Sequence, residues 1–410
     1  MLKAEKRILE WIDRKRDLLF LLIMSALGLA VRIAGLEGVS GDMTGFLLKW
    51  FEEIKEGGGF AALGTQVGDY NIPYQVIIAV MTYLPFEPMY MFKAVSIFFD
   101  YVLAAVTAGF VTDLCGRRSS KVFLLVYSAV LFVPTIIFNS AVWGQCDAIY
   151  VTFAVAAVWM LYRRKWTFAF IMLGVSFAFK LQAIFILPFF LYYYIREKSF
   201  SLFQFLWIPV VDYVLCIPAF LAGRSLKAPI RIYLDQAGNS ENMWANFPSF
   251  WILIGNDYSV LKGVAIVLTI ALLGLMMYLL MAQSVRIHRT KDFVAVLCWS
   301  IWTCVLFLPA MHERYAYMLD LLLLAGAIAC TAENVREERK ISAGDWWPFF
   351  LAEFESCCTY GIYYYHASTQ VDLTMLAIMY TAGYAVYTCG TLKTLMQGRT
   401  QIERSVGDRG

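Results

Sequence analysis

In a chain this apolar, the residues able to exchange a proton or hold an anion are few, and they fall in short groups. Asp42 follows the first long apolar run, and Asp69 and Tyr70 stand a little further on. Trp143, Gln145 and Asp147 lie within "WGQCD" (143–147), Lys180 and Gln182 interrupt an apolar stretch, and His312, Glu313 and Arg314 head "HERYAYML". A carboxylate can take the proton of an attacking hydroxyl. Guanidinium and ammonium groups can neutralise a departing anion, Arg by two parallel hydrogen bonds and Lys as a point charge. Base and cations together suit a displacement in which the leaving group gains negative charge. No Gly-rich phosphate loop is visible. The nine cysteines have no metal-ligand spacing, and the adjacent Cys357 and Cys358 are poor partners for each other.

The elements that must carry these groups are set by composition. Apolar residues make up 60% of the 410, charged residues 16%, and mean hydropathy is +0.63. These values define a polytopic, all-α membrane protein. The net charge of +3 is small and its basic residues cluster between apolar runs, a pattern that suits cytoplasmic loops better than a nucleic-acid surface. The charged start "KAEKRILEWIDRKRD" has no small-residue cleavage site, so the first apolar run reads as a retained span.

Apolar runs place twelve spans, near 18–36, 88–113, 121–139, 147–162, 166–180, 183–195, 201–222, 259–285, 292–310, 315–331, 346–363 and 372–392. A further run, 72–86, decides the topology, because counting it as a crossing reverses everything after it. Lys/Arg bias keeps it from crossing. The N-terminus, "GRRSSK" (116–121), "RRK" (163–165), "REK" (196–198), "RIHRTK" (286–291), "REERK" (336–340) and the C-terminal tail then share the cytoplasmic side. The 72–86 run is expected as a re-entrant or interfacial helix bounded by Pro73 and Pro85. The same parity splits 166–195 into two short helices meeting at Lys180 and Gln182. Nearly all the chemistry-bearing residues then gather on the outer face, together with the polar connection 223–258.

Asp42 opens the stretch "SGDMTGFLLKWFEEIKEGGGF" (40–60). Phe46, Leu47, Trp50, Phe51 and Ile54 form one apolar stripe of a helix that the run Gly57, Gly58, Gly59 ends. Such a helix is expected in the interface plane, with Asp42 at the headgroup boundary. Asp42 is then either a helix cap or a base. Other groups also keep two readings. Asp69 with Tyr70, and "WGQCD", are turns or parts of a pocket. Lys93, Ser96 and Asp100 share one helix face, either as a functional intramembrane group or as a buried pair locking helices. "NMWANFPSFW" (242–251) lines an acceptor site or rests on the bilayer. Arg224, Lys227 and Arg231 read as headgroup contacts, and His288 and His366 carry no argument.

In order along the chain, Asp42, the Gly-terminated helix, "DYNIPYQ", "FKAVSIFFDYV", "NSAVWGQCDAIY", "FAFKLQAIFILP" and "HERYAYML" resemble the GT-C superfamily of membrane glycosyltransferases. The similarity is to the bacterial branch related to the second mannosyltransferase of GPI-anchor assembly and to protein O-mannosyltransferases, and it runs from about 39 to 319. It implies a GT-C fold in one membrane-embedded domain, with a module 1–222 carrying the first-loop Asp and a variable module 223–410. It implies inverting transfer of a hexose, such as mannose, from a polyprenyl-phosphate sugar on the extracytoplasmic face of a bacterial cytoplasmic membrane, with both termini cytoplasmic. No cofactor and no metal are expected. The expected partners are the donor lipid, membrane lipids and a lipid, glycan or protein acceptor, without nucleic acid. Asp42 is the expected general base. Arg314, His312, Lys180 and Lys93 are expected at the donor phosphate, and Asp69, Tyr70, Trp143, Gln145, Asp147, Gln182 and Glu313 at sugar or acceptor. A lipid or sugar transporter would show repeat symmetry and broken helices at the midplane. A polymerase or ligase using a diphosphate donor would show a large Arg-rich loop, whereas 223–258 holds two Arg.

Overall fold

The computed structural model describes residues 3–116, 119–238, 240–282, 287 and 289–407. Arg117, Arg118, Arg286 and His288, which belong to two of the basic clusters or stand beside them, and the end of the tail lie outside the described residues. The first half comprises α1 (Lys3–Ala34), α2 (Leu48–Glu56), α3 (Ile72–Met81), α4 (Pro88–Leu114), α5 (Ser120–Leu131), α6 (Pro134–Ile137), α7 (Asp147–Tyr162), α8 (Trp166–Phe179) and α9 (Leu187–Glu197). The second half comprises α10 (Trp207–Leu215), α11 (Ile217–Leu221), α12 (Ala228–Gly238), α13 (Tyr258–Ala282), α14 (Thr290–Phe307), α15 (Tyr317–Arg336), α16 (Trp347–Tyr365) and α17 (Leu373–Gly407). Two-residue strands β1 (Trp244–Ala245) and β2 (Met311–His312) pair in parallel.

The protein is all-α and of membrane type. α1, α4, α13, α14 and α15 are each long and apolar enough to cross a bilayer. A sixth span arises if α5 and the run Pro134–Trp143, bent by 57° between them, count as one. Each of the twelve apolar runs read as spans contains a helix, but α7, α8 and α9 have only 16, 14 and 11 residues. α3 has ten residues, about 15 Å at the α-helical rise, half of a ~30 Å hydrocarbon core. Its apolar side chains are mostly buried against protein.

Burial separates inner from outer helices. Every residue of α14 from Asp292 to Phe307 except Ala295 is buried, as are 14 of the 20 residues of α15. α1 buries only Gly28 and Arg32, and α13 only Ala265, Thr269, Met276 and Leu280. Beyond Asp17, α1 exposes many large apolar side chains, as α13 does along its length, as on a lipid-facing wall.

A separate apolar cluster lies under the first loop and includes Met43, Leu47, Phe51, Ile54, Tyr74, Phe92 and Ile149. The stripe on the opening helix therefore differs from the expected one. Met43 is inside, while Phe46 remains 49% exposed. Met43 stands four residues before Leu47, on the face that Phe51 and Ile54 continue, and a π-turn spans Met43–Leu47. The stripe also packs on α3 and α4, so protein covers much of it in place of headgroups. The glycine run ends α2 as expected, with Gly58 at φ +83° and Gly59 at φ +66°.

Candidate active site

Asp42 does not cap its helix. That role falls to Ser40, whose Oγ accepts the Met43 N–H at 3.1 Å and donates to the Trp143 carbonyl at 2.9 Å. Asp42 sits inside the first turn at φ −65°, ψ −37° and makes no side-chain cap bond. Its carboxylate is thereby free to serve another set of groups. Oδ2 accepts from Gln145 Nε2 at 2.5 Å, Trp143 Nε1 at 3.1 Å and Arg314 Nη1 at 3.3 Å. Oδ1 accepts from the Tyr363 hydroxyl at 2.6 Å.

"WGQCD" is a turn that also builds the site. Gly144 adopts φ +78°, a backbone conformation that favours glycine, and Met43 Cε packs against the face where a Cβ would stand. The turn points Trp143 and Gln145 at Asp42 and begins α7 at Asp147. Asp147 is buried and ion-paired to Lys180; it also accepts from Asn139 Nδ2 at 2.9 Å and lies 3.6 Å from Arg314 Nε. Lys180 reaches it because α8 stops at Phe179 and Lys180 is extended, φ −155° and ψ 135°. The expected break between the two short helices is at this position. The Lys180 ammonium lies 5.7 Å and 5.8 Å from the ring centres of Tyr70 and Tyr150. Gln182 is buried next to it with Oε1 unpaired.

The "HER" residues lie in the connection between α14 and α15. His312 ends β2, Glu313 and Arg314 lie in the following turn, and α15 starts only at Tyr317. Pairing of β1 with β2, Ala245 opposite His312, fixes this turn. Glu313 and Arg314 thus converge where consecutive helical residues would diverge. Arg314 Nη1 meets Glu313 Oε1 at 3.0 Å, and its guanidinium lies 5.5 Å from the Trp143 ring centre. Burial raises the pKa of Glu313 while Arg314 opposes the rise. His312 keeps 44% of its side chain exposed, yet burial on its other sides, with Arg314 and Lys180 nearby, lowers its pKa to about 4. At pH 7 it is a neutral imidazole, able to give or take one hydrogen bond but not to neutralise an anion.

The remaining expected site residues divide. Tyr70 joins the cluster, donating to Gln145 Oε1 at 2.7 Å. Asp69 does not: it is exposed, and only its backbone carbonyl is engaged, by Gln236 at 2.7 Å. Lys93 is also used elsewhere. Its ammonium donates to the carbonyls of Leu36 at 2.6 Å, Gly38 at 2.5 Å and Gly35 at 3.5 Å, tying down the chain that leaves α1. Asp100 forms a buried pair with Arg32 at 2.7 Å, so that group locks helices. Arg224 is inside the protein, bonded to Gln75 Oε1 at 3.0 Å and to Gln66, and it clamps the first loop. Within 242–251, Met243, Phe247 and Trp251 are buried.

Sequence reasoning missed Tyr363 and Asn139. The available signal was a tyrosine at the outer end of a span and an Asn in "NSAVWGQCD". Among the described residues no three His, Cys, Asp or Glu side chains form a cluster suited to a metal ion.

Asp147 begins α7, Lys180 follows the end of α8, Tyr363 lies in the last turn of α16, Asp42 stands just before the π-turn that leads into α2, and Glu313 and Arg314 lie in the turn before α15. The site therefore lies at one end of the helix bundle, where residues of 1–222 meet residues of 223–410. Three carboxylates, Asp42, Asp147 and Glu313, face two basic side chains, Arg314 and Lys180. Fold and site define an all-α protein of membrane type with a charged, hydrogen-bonded cluster at one end. No known family model and no curated protein matches the chain.

Proposed function

We propose that the chain is a GT-C membrane glycosyltransferase of twelve crossings, working on the extracytoplasmic face with both termini in the cytoplasm. It transfers a hexose from a polyprenyl-phosphate sugar to an acceptor hydroxyl with inversion. The observation that carries this reading is the direct contact of the Asp42 carboxylate with Arg314, within a network that also holds Lys180.

The acceptor oxygen forms the new bond to the anomeric carbon while the bond from that carbon to the phosphate oxygen breaks. The electron pair leaves with the polyprenyl phosphate, and the acceptor's proton passes to Asp42. Arg314 is the group for the phosphate, because its charge persists at every working pH. Arg314 lies against Asp42. An arriving phosphate competes for that guanidinium, which at once holds the leaving group and frees the base. Asp147, paired with Lys180, also lies 3.6 Å from Arg314. Neutral His312 and Gln182 offer hydrogen bonds to sugar hydroxyls. Polar residues gathered at one end of the bundle suit this chemistry better than a path through the membrane.

The test uses membranes containing the protein with radiolabelled polyprenyl-phosphate mannose and, separately, its diphosphate analogue. Label moving from the monophosphate donor alone supports the reading. Transfer only from the diphosphate donor makes the protein a polymerase or ligase, and movement of intact lipid across the bilayer without transfer makes it a flippase.

A further inference from the structure

The two oxygens of Asp42 are not equivalent. Oδ2 accepts three donors, Gln145 at 2.5 Å, Trp143 at 3.1 Å and Arg314 at 3.3 Å. Oδ1 accepts one, the Tyr363 hydroxyl at 2.6 Å. A carboxylate oxygen offers about two lone-pair directions, so Oδ2 is saturated and Oδ1 keeps one open. Resting on the reading of Asp42 as the base, we propose that Tyr363 is a positioning residue that selects Oδ1 as the atom receiving the acceptor's proton.

Tyr363 is well placed for this. It stands at the end of α16, and its ring is stacked on Trp143 with centroids 4.3 Å apart and planes 14° from parallel. Trp143 in turn donates to Oδ2, so one aromatic pair grips both oxygens and fixes the carboxylate plane. The acceptor hydroxyl approaches the open lone pair of Oδ1. Its O–H bond breaks as its oxygen bonds to the anomeric carbon, the proton ends on Oδ1, and the phosphate leaves with the electron pair of the old bond. Throughout, Tyr363 keeps its own proton. A hydrogen bond donated to a carboxylate oxygen is made to its charged form, and this bond is what the variant below removes.

Tyr363→Phe removes the hydroxyl and keeps the stacked ring, which preserves the fold. The charged and titratable groups near Asp42 on the other packed elements are Arg314, Glu313, His312, Asp147, Lys180 and Tyr70. They are common to parent and variant, so the difference isolates the hydroxyl. With donor saturating, kcat/KM for the acceptor is measured against pH. The acid limb of the Tyr363→Phe profile moves to higher pH, so that on that limb the variant falls about tenfold below the parent, the equivalent of one charge-assisted hydrogen bond. KM for the donor stays the same. A limb that stays in place, with activity unchanged or lowered evenly at every pH, overturns the proposal. Asp42→Asn is run alongside. If it is inactive while the Tyr363→Phe limb does not move, only the role of Tyr363 fails; if it is as active as the parent, the reading of Asp42 as base fails.

Discussion

Replacing Arg314 probes both the architecture of the site and its use. The guanidinium approaches Glu313 at 3.0 Å, Asp42 at 3.3 Å and Asp147 at 3.6 Å, with 13% of the side chain exposed. Arg314→Ala leaves Asp42 and Glu313 without a cation, and Asp147 with Lys180 alone. Removing one partner of a largely buried ion pair costs about 3 to 5 kcal/mol. The same variant loses a charge-assisted bond to the donor phosphate, about 1.5 to 3 kcal/mol, or roughly 10- to 150-fold in affinity. Arg314→Lys keeps the charge but not the planar fork, so it serves one carboxylate at a time and falls between the two. Thermal unfolding in detergent gives the first quantity, and titration with polyprenyl-phosphate mannose at a temperature where both proteins are folded gives the second. An alanine variant that melts and binds donor like the parent refutes the reasoning, and would direct attention to Lys180 as the phosphate group.

Three further predictions concern groups around this cluster. Lys93→Met uncaps the carbonyls after α1 and lowers stability by about 1 to 3 kcal/mol in a denaturation series, while donor affinity per folded molecule stays at the parent value. Because His312 has a depressed pKa of about 4, its neutral form favours the folded state above pH 6.5, and this contribution is lost as pH falls towards 4. His312→Gln therefore shows a smaller fall in unfolding temperature over that window than the parent, with Glu313, whose shift is upward, acting in the opposite direction in both. Cysteine labelling of intact cells at Ser119 and Gly238 should find the first protected on the cytoplasmic side and the second accessible from outside; Ser119 outside would overturn the topology and the site's location together.

What could be read beforehand follows from what each residue depends on. The break at Lys180 was legible because the apolar run 166–195 is long for one span and its parity conflicts with the later basic clusters. Asp42, "WGQCD" and "HER" stood out as polar groups at the ends of apolar runs. Their convergence is a tertiary fact, but each was marked by local contrast. Tyr363 had no such contrast, being one of 24 tyrosines and part of an aromatic run. Lys93 was marked by its charge, yet its partners are main-chain carbonyls some 55 residues earlier, which no side-chain pattern announces. The convergence of Glu313 and Arg314 depends on β2 pairing with a strand more than sixty residues away, and that pairing has no periodic signature in the sequence.

The central claim is that the Asp42 carboxylate takes the acceptor's proton, and transfer by Asp42→Asn tests it most directly. Asn keeps the size of the side chain and removes its ability to accept a proton, which for a positioned acid-base group costs about 10²- to 10⁴-fold. With radiolabelled polyprenyl-phosphate mannose, the variant should fold, bind the donor and show almost no transfer. Turnover at the parent rate by a folded Asp42→Asn protein would contradict the account.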